Sequence, residues 1–164
     1  MPSAGEGRTG VVSVSAGRTH GGRADAASAI RRGAERLLRS RGLAAVGEVN
    51  LGGGRRADIA AVSRRGEIWI VEIKSCAADF RSDGKWPAYR AWCDRLYFAV
   101  PVDFAQELLP GDVGVILADR YGGEIRREAP HHALPPARRK GMTLRILRTA
   151  AARLWLASDP LDRA

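Results

Sequence analysis

The stretch IWIVEIKSC, Ile68 to Cys76, decides how this chain is read. Its β-branched and aromatic content marks a strand bound for the interior, yet Glu72 and Lys74 stand inside it. Side chains alternate faces along a strand, so Glu72 and Lys74 share one face with Ile68 and Ile70, while Trp69, Val71 and Ile73 take the other. Burying such charges without partners costs several kcal/mol. They must neutralise each other, reach water or hold a third group.

The strand before it supplies a candidate. Arg56 to Ser63 and Glu67 to Lys74 read as two strands joined by Arg64-Arg65-Gly66. Three-residue hairpin loops end on a residue in the left-handed region, which glycine occupies at little cost. With Ser63 opposite Glu67, counting back along both strands sets Asp58 opposite Glu72. A two-residue loop would put them on opposite faces, because a one-residue slip flips every side chain. Asp58, Glu72 and Lys74 are therefore expected to converge at the edge of a hydrophobic sheet.

Outward from this hairpin the order reads α-β-β-β-α-β-β-β-α. Asp25 to Arg41 carries an apolar stripe including Ala26, Ala29, Ile30, Gly33 and Leu37, and ends at Gly42. Ala44 to Leu51 is a first strand. A second helix lies within Asp79 to Cys93, starting near Lys85-Trp86-Pro87. Leu96 to Val100 is a strand stopped by Pro101. Val113 to Ala118 and Glu124 to Arg127 form a late hairpin, and Thr143 to Ala157 a last helix that turns Leu144, Leu147, Ala151 and Leu154 inward. Residues 1–23, rich in Gly, Ser, Ala and Arg, read as a flexible, solvated tail, with phosphate contact by Arg8, Arg18 and Arg23 the alternative. Residues 24–164 read as one domain.

The 164 residues suffice for one core and not for two. No run of about 18 apolar residues exists and no secretory leader pattern is present, so a cytoplasmic, nucleoid-associated location without membrane attachment is the expectation. Cys76 and Cys93 lack metal-ligand spacing and read as small buried apolar residues. Lysine plus arginine exceed aspartate plus glutamate by 27 − 18 = 9, which favours a polyanionic partner, DNA first. An arginine-rich and alanine-rich composition bias explains the same excess without a partner.

Two carboxylates a strand apart repel each other, and a hard divalent cation resolves this. Mg²⁺, with Mn²⁺ as a substitute, takes one or two carboxylates, keeps several waters and completes its shell with substrate phosphate. Asp58 and Glu72 are the candidate ligands, with the backbone carbonyl of Ile73 a third oxygen. Lys74 would orient an attacking water and offset charge on a phosphoryl oxygen. Only three lysines, Lys74, Lys85 and Lys140, stand against 24 arginines among the 27 basic residues, so a lysine here asks for a compact ammonium rather than a planar guanidinium. The plainer alternative is an exposed Glu72–Lys74 pair on an edge strand, with Asp58 a turn-proximal acid.

Asp58, followed fourteen residues on by Glu72-Ile73-Lys74, resembles the D…(D/E)-x-K signature of the PD-(D/E)xK nuclease superfamily. The segment from Arg56 to Pro101 is similar to the MmcB family of bacterial DNA repair proteins, most specifically at VEIKS, KWPAYRAWCD and LYFAVP, within a resemblance spanning roughly Asp25 to Ala118. It implies a restriction-endonuclease-like fold, α/β with a central mixed β-sheet flanked by α-helices, Mg²⁺-dependent phosphodiester hydrolysis and a role in DNA repair or damage tolerance. By position it makes Asp58 and Glu72 metal ligands and Lys74 the catalytic lysine. Ala57 stands where the superfamily carries proline. Glu35 occupies the place of the first-helix catalytic acid, with a surface role the alternative and Glu48 a weaker rival.

Lys85 and Tyr89, at i and i+4, and Arg56 are the candidate DNA-backbone contacts. Trp86 and Trp92 read first as core, with base stacking the alternative. Asp79 and Asp83 read first as solvating or capping the second helix, with a supporting metal role the alternative. Arg138-Arg139-Lys140, Arg145, Arg148 and Arg153 form either a phosphate-tracking face or a solvated one. His131-His132 has no matching ligands nearby in sequence. Three functions remain open: a repair nuclease, a nuclease-fold module that binds DNA and recruits repair factors, and a restriction or junction-resolving endonuclease. A homodimer or a repair-protein partner is also left open.

Overall fold

The computed structural model describes residues 20–159. Six strands form one sheet in sequence order: β1 (Ala44–Gly52), β2 (Arg55–Val62), β3 (Ile68–Ile73), β4 (Arg95–Val100), β5 (Gly114–Ala118) and β6 (Gly123–Arg127). β1, β2 and β3 are antiparallel, β3, β4 and β5 parallel, and β6 returns antiparallel to β5. The protein is thus α/β with a mixed sheet. Parallel strands are stable when covered on both faces, and β4 and β5 are buried along almost their whole length.

Helix α1 (His20–Ser40) covers one face, packing Ile30, Ala34 and Leu38 against Ile59, Val71, Tyr97 and Ile116. The other face, with Ile68, Ile70, Phe98 and Val115, is covered by Tyr89, Cys93, Phe104 and by Met142 and Ile146 of helix α3 (Pro136–Ser158). The Ser63–Glu67 connection adopts the expected geometry. Ser63 N–H donates to Glu67 O at 2.9 Å, Gly66 has φ of 78°, and Ile59 pairs with Val71. Gly42, at φ 77°, closes α1: its N–H bonds Arg39 O at 2.9 Å while Leu43 N–H reaches back to Leu38 O at 3.0 Å.

Several expectations are corrected. Helix α1 begins at His20 rather than Asp25, so Arg23 belongs to it; Arg8, Arg18 and the rest of residues 1–19 of the expected tail lie outside the described residues. The second helix is two pieces, α2 (Ala77–Ser82) and a 3₁₀ helix (Trp86–Trp92). Pro87 lacks the N–H that a continuous α-helix would donate to Asp83, and Asp83 Oδ1 instead accepts Lys85 N–H at 3.0 Å. The last helix starts at Pro136 and packs through Met142 and Ile146, leaving Leu144, Leu147, Ala151 and Leu154 exposed rather than inward. Cys93 is buried and Cys76 only half-buried. No helix among the described residues is long and apolar enough to cross a membrane.

Candidate active site

The β2–β3 ladder stops at Ile59 and Val71, one residue short of Asp58 and Glu72. Beyond that point side chains replace backbone carbonyls as acceptors. Asp58 N–H donates to Glu72 Oε1 at 3.2 Å, and Ile73 N–H donates to Asp58 Oδ2 at 2.8 Å. Each acid thus clasps the other's strand, and the two carboxylates occupy a fork between the strand ends. Among the described residues, Asp58 Oδ1 and Glu72 Oε2 make no such bond. Glu72 is 3% exposed. Burial, and then the Asp58 charge, push its carboxyl up to about 8, against the lowering by Asp58 N–H and by Lys74.

Lys74 is buried at the end of β3, its N–H bonded to Ala99 O of β4 at 2.9 Å. Its ammonium donates to Asp83 Oδ2 at 2.5 Å. Burial pushes the Asp83 carboxyl up, but the hydrogen bond from Lys74, the Lys85 N–H and the Lys74 charge outweigh it and hold it below the usual aspartate range. Next along the chain, Ser75 Oγ bonds Asp79 Oδ2 at 2.5 Å. A cleft of about 540 Å³ opens at the ends of β3 and β4, lined by Ser75, Cys76, Ala77, Pro101, Phe104 and Arg23 among others.

Glu35 lies on α1, with Oε1 3.5 Å from where a side chain on Gly47 would begin, a point that is also 3.5 Å from the Asp58 carbonyl oxygen. Glu48, at φ 51° on β1, is paired with Arg31 at 3.6 Å and Arg56 at 3.5 Å. Lys85 is exposed, but Tyr89 is buried and donates its hydroxyl to Arg56 O at 3.3 Å. The shared face expected for Lys85 and Tyr89 does not form, because a 3₁₀ helix brings i and i+3 together rather than i and i+4. Burial, then the charges of Glu72, Asp83 and Asp58, push the Tyr89 hydroxyl up to about 12. Trp86 packs edge-on to Phe98, and Trp92 lies under the Arg145 guanidinium.

The basic residues of the last helix stay exposed apart from the half-buried Arg139, and several of them bond neighbouring backbone. Arg138 bonds Ala91 O, Arg145 Asn50 O and Arg153 Gly47 O, while Arg139 grips Asp94 through both terminal nitrogens at 2.6 and 2.7 Å. His131 stands 3.5 Å from Glu67. Three features went unread in the sequence: the Asp83 anchor on Lys74, the buried Asp94 hub, and Arg55, whose buried Nε has no hydrogen-bond partner among the described residues. Ser-Asp-Gly ahead of Lys85 signals a turn at Asp83, but nothing local names Lys74 as its partner.

The model of the MmcB-like DNA repair proteins matches residues 14–161. The chain belongs to the MmcB-like family. A solved structure of a protein of unknown function from Silicibacter pomeroyi is 41% identical and superposes with a TM-score of 0.81, covering 84% of this chain and 94% of that one. Comparison with curated proteins gives no match. Membership sets this MmcB-like chain among DNA repair proteins, for which an excess of nine positive charges suits a polyanionic partner.

The fork of this MmcB-like protein fits a hard divalent cation as a two-carboxylate site. Among the described residues no group of three or more His, Cys, Asp or Glu side chains is gathered to hold a metal ion. Magnesium nevertheless needs only one or two carboxylates when water and phosphate complete its shell. The observation in favour is Glu72 itself, a buried acid whose ionised form has one weak donor and a repelling neighbour. A positive charge between Asp58 and Glu72 would supply the missing compensation.

Proposed function

We propose that this protein is a metal-dependent DNA nuclease of the PD-(D/E)xK type, on a restriction-endonuclease-like sheet, acting in DNA repair or damage tolerance. The observation that carries the reading is the convergence of Asp58, Glu72 and Lys74 at one end of one sheet face, with Asp58 and Glu72 bonded across the fork. Mg²⁺ held by the two carboxylates and the Ile73 carbonyl would supply Lewis-acid stabilisation of the phosphoryl oxygens and lower the pKa of a bound water. Lys74 would donate to a phosphoryl oxygen as charge builds there and orient the attacking water. The water oxygen forms the new bond to phosphorus, the phosphorus–oxygen bond to the leaving sugar breaks, and the leaving oxygen takes a proton.

A second reading is a nuclease-fold module that binds DNA and recruits repair factors without cutting. The excess of nine positive charges, which draws DNA whether or not the strand is cut, supports it. Incubation with single-stranded, flap, gapped and junction DNA plus Mg²⁺ or Mn²⁺ separates the two. The nuclease reading predicts cleavage that falls about a thousandfold in Lys74→Ala and in Asp58→Ala. Equal cutting by wild type and both variants removes the site, and salt-dependent binding without cutting, unchanged in Lys74→Ala, establishes the binding module.

A further inference from the structure

We propose that Asp83 is the positioning residue of Lys74, holding its ammonium away from Glu72 and at the mouth of the fork. This deepens the nuclease reading and rests on it for its catalytic consequence. The lysine stem has four rotatable carbons, and its charge acts on Glu72 of its own strand, on Asp79 of α2 and on Asp83 from the α2–3₁₀ connection. Closure on Glu72 would neutralise the very carboxylate that the fork needs ionised. The structure closes on Asp83 instead, at 2.5 Å, in a pair only 10% and 18% exposed at the two side chains.

Asp83 is itself immobilised. Its second oxygen accepts Lys85 N–H at 3.0 Å, so it cannot swing without uncapping the 3₁₀ helix Trp86–Trp92. One carboxylate oxygen therefore fixes the backbone and the other fixes the lysine. An ammonium carries three donors, and the bond to Asp83 takes one of them, leaving two for water or a phosphoryl oxygen.

Asp83→Asn preserves shape and the acceptor for Lys85 N–H while removing the charge. In steady-state cleavage it is expected to lower kcat about 30-fold with KM for DNA nearly unchanged, and to have no further effect in a Lys74→Ala background. Wild-type kcat in Asp83→Asn, or an equal loss in both backgrounds, overturns the proposal. Reductive methylation with formaldehyde, read peptide by peptide in a mass spectrometer, supplies a test independent of activity. Lys74 should label at least tenfold more slowly than Lys85 and Lys140 in the wild type, and approach their rate in Asp83→Asn; a Lys74 that labels as fast as Lys85 in the wild type overturns the anchor even if the variant does not fold. A wild type that cuts no DNA defeats the nuclease reading, while the labelling still decides whether Asp83 holds Lys74.

Discussion

The two ends of strand β3 solve one problem in opposite ways. At its start, Ile68 N–H donates to the carboxylate of Asp94 at 2.7 Å; at its end, Ile73 N–H donates to the carboxylate of Asp58 at 2.8 Å. Asp94 is fully buried and completely served, by Ile68, by Leu134 N–H at 2.8 Å and by both terminal nitrogens of Arg139. Burial pushes its carboxyl up, but the two backbone donors and Arg139 prevail and hold it below the usual range. At the other end Glu72 is almost as buried, has one donor at 3.2 Å and faces a second acid, so its carboxyl goes up to about 8. A carboxylate that serves the fold has its donors in place; one left short of them points to chemistry brought by a ligand.

Removing charge at the two ends should therefore have opposite signs. Asp94→Asn leaves Arg139 without its partner and should lower stability by about 3 kcal/mol in urea denaturation at pH 7. Because the Asp94 value is depressed, its contribution is present above about pH 4 and is lost as the pH falls through the folded value. Glu72→Gln should instead raise stability by about 2 kcal/mol at pH 9. The Glu72 value is raised, so its favourable contribution is complete below 4.5 and disappears as the pH climbs through about 8; the glutamine variant should flatten that part of the profile. Loss of stability in Glu72→Gln at pH 9 would erase the contrast.

A smaller effect sharpens the same comparison. Millimolar Mn²⁺ should raise the wild-type Tm by a few degrees at pH 8, equivalent to about 1 kcal/mol, and chelation should reverse it. Asp58→Ala should abolish the shift. Smallest of all, Leu147→Gln, on an exposed stretch of α3 away from both strand ends, should change stability by no more than about 0.5 kcal/mol. A large loss there would show that this face is covered in solution.

The site hairpin was legible because its determinants are local. Gly66 sets the loop length, the loop sets the register, and the register brings Asp58 to Glu72. The same holds for Gly42, whose left-handed backbone ends α1 beside its own leucines. What escaped depends on contacts that periodicity does not encode. Helix α3 carries two usable apolar stripes, and the sheet takes Met142 and Ile146 rather than Leu147 and Leu154. Asp83 meets Lys74 only because the chain breaks between α2 and the 3₁₀ helix, and Asp94 gathers Leu134 and Arg139 from about forty residues away.

The central claim is that Asp58 and Glu72 together hold a divalent cation, and calorimetric titration with Mn²⁺ at pH 8 tests it most directly. The wild type and Lys74→Ala should each bind one ion at the same site, while Asp58→Ala and Glu72→Gln, folded by circular dichroism, should bind at least tenfold more weakly. Equal affinity in the wild type and Glu72→Gln would contradict the account.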